Sequence, residues 1–154
     1  MKIAVGSDHA GLALKDEIKK TLAEAGASVE DLGTQSSESS DYPDFARAVG
    51  EAVASGRADS GVLVCGSGIG MGIAANKIAG VRAAVCHDTV TARLAREHND
   101  ANVLCLGARL LDPALARDMV RVWLAARFEG GRHARRVDKI RALESARPAG
   151  ARRS

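Results

Sequence analysis

The sequence predicts an α/β protein, a three-layer sandwich around a five-stranded parallel sheet with an extra helix at its C-terminal end. Three observations carry that prediction. Short β-branched apolar runs alternate with longer stretches whose apolar residues recur every three or four positions. The strand-like runs are apolar almost throughout, as in a sheet covered on both faces. A chain of 154 residues, 46% of them hydrophobic, is long enough and apolar enough for one core of that kind.

Lys2–Gly6 reads as the first strand, and Leu12–Ala25 as a helix with Leu14, Ile18 and Leu22 along one face. Ser28–Asp31 is a weaker strand. Residues 32–42, rich in Ser, Asp and Thr, form a loop. Pro43 opens a helix to Ser55, because a first-turn residue has no helical partner for its N–H. Gly61–Cys65 is a continuous apolar strand, followed by a glycine-rich turn and a helix to Ile78. Val81–Cys86 is the fourth strand, Thr89–Glu97 a helix and Asn102–Leu106 the fifth strand. Pro113–Phe128 and Ala134–Ala146 are the last helices, parted by Gly130 and Gly131. Residues 1–146 therefore read as one domain and 147–154 as a flexible basic tail. The final helix follows a completed sheet and is free to pack on a neighbour.

Charge and cysteine use narrow the function. The formal net charge is +3, but residues 127–154 hold nine Lys/Arg against three Asp/Glu, which leaves −3 on the rest. Aromatics are only 3%, too few to stack on bases, so no nucleic-acid partner is expected. Three cysteines make no disulfide framework, and none shows Cys-x-x-Cys spacing. There is no signal-peptide pattern and no long apolar run, so a cytoplasmic protein without a membrane span is expected.

Ligands of an open parallel sheet bind beyond the carboxyl ends of its strands. Those ends carry Gly6-Ser7-Asp8-His9-Ala10-Gly11, then Cys65-Gly66-Ser67-Gly68-Ile69-Gly70-Met71-Gly72, then His87-Asp88, then Gly107-Ala108-Arg109. Alternate glycines from Gly66 to Gly72 expose backbone N–H groups at a helix start, where an anion or developing oxyanion is held. A P-loop is excluded because no Gly-Lys-Ser/Thr closes the turn. A dinucleotide fingerprint needs glycine where Met71 stands, although Asp88 occupies the place of a ribose-binding acid. The same glycines also suit a tight strand-to-helix turn with no ligand at all.

Cys65 precedes this turn. Cys86 and Cys105 also fall on strands, where free cysteine is commonly a small buried residue. A helix start, by contrast, favours the thiolate and makes it available as a base. His98 ends a helix, where capping is the ordinary role, and His9 follows Asp8 in a turn. Four histidines without close ligand spacing predict no metal site. Arg132 and Arg136, four apart at the start of the last helix, share a face and suit a phosphate, although a basic stretch is commonly only solvated. Arg109 stands at the functional edge of the sheet.

Six segments in order resemble the type B ribose-5-phosphate isomerases, a family shared with galactose-6-phosphate and allose-6-phosphate isomerases. They are Gly-Ser-Asp-His-Ala-Gly at 6–11, Ser-Asp-Tyr-Pro at 40–43, Cys-Gly-Ser-Gly-Ile-Gly at 65–70, Ala-Ala-Asn-Lys at 74–77, Glu-His-Asn-Asp at 97–100 and Glu-Gly-Gly-Arg-His at 129–133. The resemblance implies a Rossmann-like sheet and interconversion of ribose 5-phosphate and ribulose 5-phosphate through a cis-enediolate, without cofactor or metal. By position, Cys65 resembles the proton-transferring base. Gly66, Ser67, Gly68, Ile69 and Gly70 resemble the anion hole. His98 resembles the ring-opening group, assisted by Asp8 and Tyr42. Asn99 would bind a sugar hydroxyl, while His9, Arg109, Arg132 and Arg136 would hold the phosphate. The resemblance also implies a homodimer with shared sites, with a higher oligomer open. Ser67 replaces the family's common threonine but keeps the hydroxyl. Some relatives lack the cysteine and use a carboxylate, a variant that Cys65 argues against. Two rivals stay open on sequence: an isomerase of another sugar phosphate, including a tetrose phosphate, and a non-catalytic nucleotide-binding module.

Overall fold

Five strands run parallel in the order β2-β1-β3-β5-β4. They are β1 (Lys2–Ser7), β2 (Ser28–Asp31), β3 (Ser60–Cys65), β4 (Ala83–Val85) and β5 (Val103–Gly107). The structure, a computed structural model, describes residues 1–146, so the expected tail at 147–154 lies outside the described residues. The helices are α1 (Leu12–Glu24), α2 (Tyr42–Ala54), α3 (Ile69–Ala75), α4 (Thr89–Asn99), α5 (Pro113–Ala125) and α6 (Arg132–Ser145). The predicted three-layer architecture is the one observed.

Because side chains alternate along a strand, each strand feeds two cores. Ile3, Val5, Val62 and Val64 face α1, α4 and α5, where Leu14, Ile18, Met119 and Trp123 are buried. Ala4, Leu63, Cys65 and Cys105 face α2 and α3, where Val49, Val53 and Met71 are buried. α6 covers neither face. It packs on α4 and buries only His133 and Val137, in line with a last helix not needed by the sheet.

Several boundaries differ from the sequence reading by one to three residues, and at three of them side chains or turns give the reason. α3 stops at Ala75 rather than Ile78 because the Asn76 amide donates to the Ala83 carbonyl (2.9 Å) and accepts from the Ala83 N–H (2.8 Å). β4 is shorter than Val81–Cys86 because Asn102 accepts from the Arg82 N–H (2.7 Å) and donates to the Gly80 carbonyl (2.8 Å). α5 ends at Ala125 rather than Phe128, and the chain turns so that the Glu129 N–H donates to the Glu97 carbonyl at 3.0 Å.

The chain steps from β1 outward to β2, then returns across to β3 on the other side. That reversal opens a crevice at the carboxyl ends of β1 and β3, the place where such sheets bind ligands.

Candidate active site

Cys65 ends β3 inside this crevice and is 4% exposed. Its Sγ accepts the Gly68 N–H at 3.2 Å, which holds the sulfur against the turn. Gly68 can turn that N–H inward because its φ is +79°, a left-handed conformation that side chains disfavour. Ile69 N–H donates to Ser67 Oγ at 3.3 Å, which ties the turn to the first residue of α3. Burial pushes the Cys86 thiol up to about 11 and raises Cys105 further, so both are inert thiols at neutral pH.

Neighbouring loops close around the turn. The Ala108 and Arg109 N–H groups donate to the Cys65 and Gly66 carbonyls (2.8 and 3.0 Å), extending β5 beside β3. Arg109 consequently lies over Gly66, where a Cβ would stand 2.9 Å from its Nη1. The Tyr42 ring, at the start of α2, lies over Gly70. Asp8 is 5% exposed and caps the 3-10 turn His9–Gly11, accepting the Gly11 N–H at 3.1 Å. His9 and Ser40 bond reciprocally: the His9 N–H donates to Ser40 Oγ (3.2 Å) and the Ser40 N–H to His9 Nδ1 (3.1 Å). With Nδ1 accepting, the neutral ring carries its proton on Nε2, a donor free for an anion.

The remaining expected site residues are elsewhere. All strands point one way, so α4 descends to the amino edge of the sheet, and His98 and Asn99 lie there, just before β5. Gly61 pairs with Val103 and Cys65 with Gly107. Four strand residues, about 13 Å, thus separate the Cys65 end from the edge near His98. α6 starts beside His98, so Arg132 and Arg136 belong with it; neither forms a salt bridge to a described residue. One chain brings together Asp8, His9, Tyr42, Cys65, the 66–70 turn and Arg109, and at the opposite edge His98, Asn99, Arg132 and Arg136.

Two residues outside the expected set join the second group. The His98 and His133 rings stack, 4.2 Å apart at 9°. Glu129 Oε2 lies 3.8 Å from His98 Nε2 and 3.5 Å from His133 Nε2. Burial, with His98 and Arg132 alongside, holds His133 below the usual histidine range, Glu129 acting in the opposite sense. Thirty-five positions separate the two histidines, so sequence spacing carries no sign of the pair; the Glu-Gly-Gly-Arg-His segment was its only trace.

The fold and the switch-point thiol with its donor-lined turn define an α/β enzyme built for a small anionic ligand. Known proteins make this specific. The Ribose/Galactose Isomerase family model matches residues 3–140. The chain is 52% identical over 146 residues to ribose-5-phosphate isomerase B of Escherichia coli (strain K12), covering 95% of this chain and 98% of that protein. Among solved structures, ribose-5-phosphate isomerase B of Clostridium thermocellum superposes with a TM-score of 0.93 at 54% identity, covering 95% and 99% of the two chains. The Mycoplasma genitalium enzyme, solved with bound ribulose 5-phosphate, superposes at 0.92 with 44% identity, covering 95% and 97%. The chain belongs to the ribose/galactose isomerase family.

Proposed function

We propose that this chain interconverts ribose 5-phosphate and ribulose 5-phosphate in the cytoplasm, as a homodimer whose sites each combine the two edges described above. The carrying observation is the Cys65 sulfur, nearly buried at the switch point and facing the Gly68 N–H. Proton transfer between C1 and C2 needs a base beside fixed donors for the oxygens of an enediolate. Cys65 takes the proton from one carbon and returns it to the other. The N–H groups from Gly66 to Gly70, with the Ser67 hydroxyl, stabilise the charge that develops on oxygen while the hydroxyl proton of the aldose passes from O2 to O1.

Ring opening falls to His98 of the second copy, assisted by Asp8 and Tyr42, with Asn99 on a sugar hydroxyl. His9 and Arg109 from one edge, and Arg132 and Arg136 from the other, hold the phosphate. This handle orients the reacting carbons through remote binding energy. The dimer is supported by the separation of Cys65 from His98 within one chain. The cytoplasmic assignment is supported by three free cysteines and by the lack, among the described residues, of a helix long and apolar enough to cross a membrane.

The decisive measurement is interconversion of the two pentose phosphates by the wild type and by Cys65→Ala. The variant is expected to lose about 10²–10⁴-fold in kcat with KM little changed; an unaltered kcat would remove Cys65 as the base. A second reading, a hexose phosphate as preferred substrate, is favoured by the galactose branch of the family. Relative kcat/KM on pentose and hexose phosphates separates the two.

A further inference from the structure

We propose that His98, Glu129 and His133 form a binding site for a divalent transition metal of the Zn²⁺ class, whose occupancy switches the isomerase off. The inhibitory part rests on the reading that His98 opens the sugar ring; the binding part does not.

Two imidazoles and one carboxylate are borderline donors that suit Zn²⁺, and three protein ligands leave a position open to solvent. Their ligand atoms all lie within 4.8 Å of one another. Donors about 2.0–2.1 Å from a tetrahedral ion stand roughly 3.3 Å apart. Glu129 already meets that spacing closely, at 3.5 Å from His133 and 3.8 Å from His98.

The three groups differ in freedom. The His133 side chain is 9% exposed, at the start of α6, with its backbone N–H donating to the Gly130 carbonyl at 3.0 Å. It is the fixed ligand. Glu129 is tied through its own N–H to Glu97 but leaves its carboxylate 53% exposed. His98 is 35% exposed. In the stacked arrangement the two rings are nearly parallel, so their lone pairs do not converge on one point. Capture of an ion therefore requires the more exposed ring, His98, to turn toward Glu129. That rotation removes His98 from its stack and ties up a ring nitrogen, which obstructs the ring opening assigned to His98. Arg132 and Arg136 flank the cluster and weaken its hold on a cation. They leave the site open to exchange between a metal and a phosphorylated sugar.

The test uses chelator-stripped full-length protein, with Zn²⁺ counted by equilibrium dialysis and Co²⁺ followed by its visible absorption. Roughly one ion per chain is expected. Glu129→Gln and His133→Gln should each weaken binding at least about tenfold. Cys65→Ala should bind as the wild type does. Glu129→Gln alters an exposed side chain, so it stays informative if the His133 variant fails to fold. Zn²⁺ is further expected to raise KM for the sugar phosphate, with activity restored by chelator. Unchanged affinity in a folded Glu129→Gln, or binding lost only in Cys65→Ala, would overturn the proposal. So would saturating Zn²⁺ that leaves an active enzyme at full rate. Dialysis needs no substrate, so an inactive wild type would count against the isomerase reading while the ion count still decided this one.

Discussion

Gly68 and Gly70 stand two residues apart in one turn, yet they serve different ends. A side chain on Gly68 would sit at φ +79° with its Cβ 3.0 Å from the Leu106 carbonyl carbon. Gly68→Ala is therefore expected to cost about 1–2 kcal/mol and to turn the N–H away from Cys65. A Cβ on Gly70 would instead stand 2.5 Å from Tyr42 Cζ, and Tyr42 is 40% exposed and can swing aside. Gly70→Ala should keep its melting temperature while losing about 10–100-fold in kcat/KM, because the tyrosine ring is displaced. Thermal melts paired with steady-state kinetics separate the two variants. At this scale the sequence was informative where chemistry is local: Cys65, the alternating glycines and Asp8-His9 are all contiguous with the ends of strands. Of Glu129 and His133 it held only the Glu-Gly-Gly-Arg-His segment, because their partnership with His98 exists only once α6 lies against α4.

Among the elements, the 32–41 loop shows how a buried charge serves a site it does not touch. Lys15 is wholly buried; its Nζ meets Asp31 Oδ1 at 3.0 Å and the Thr34 carbonyl at 2.6 Å. Lys19 binds the other Asp31 oxygen at 2.7 Å, and the Gly33 N–H donates to Oδ1 at 3.0 Å. These bonds root a loop whose far end carries Ser40, the partner of His9. Burial opposes the charged form of Asp31, but hydrogen bonds from Lys19, Lys15 and Gly33 outweigh it and hold the carboxyl at about 2, below its ordinary 3.8. A carboxylate depressed on folding stabilises above its unfolded value and loses that contribution as pH falls through the folded one. Acid unfolding should therefore steepen between about pH 4 and pH 2, and Asp31→Asn should remove that segment of the curve. The same variant should lose about 3–5 kcal/mol at neutral pH, because Lys15 is left buried without its counter-ion. Element identities were legible from apolar periodicity; their ends were not, where Asn76 and Asn102 take over backbone bonding. A sequence shows an asparagine but not which carbonyl it will reach.

For the whole molecule, the parallel sheet separates the thiol from the imidazole by the length of its own strands. Each chain then holds two half-sites and, on the proposed assembly, completes neither alone. Mixing provides the test. Cys65→Ala and His98→Asn, each inactive by itself, should regain about a quarter of the wild-type rate after joint unfolding and refolding, because half the dimers are mixed and each has one intact site. No recovery, or a monomer active at assay concentration in sedimentation, would contradict a shared site. The opening charge asymmetry also sharpens at this scale. Arg132 and Arg136 lie at the edge opposite Arg109, so on the proposed assembly these two cations of the basic C-terminal segment would reach a partner's phosphate.

The paired bonds between Asn76 and Ala83 have a consequence for solubility. β4 is an outer strand, and exposed strand margins template the pairing of foreign chains. Here a side-chain amide acts as a one-residue counterfeit strand, occupying both the donor and the acceptor that an incoming peptide would seek at Ala83. Asn76→Ala should accordingly raise light scattering on prolonged incubation, with the circular dichroism of the soluble fraction unchanged. At Ala83 the chain's own side chain thus closes the margin, which is expected to hinder strand pairing between crowded copies.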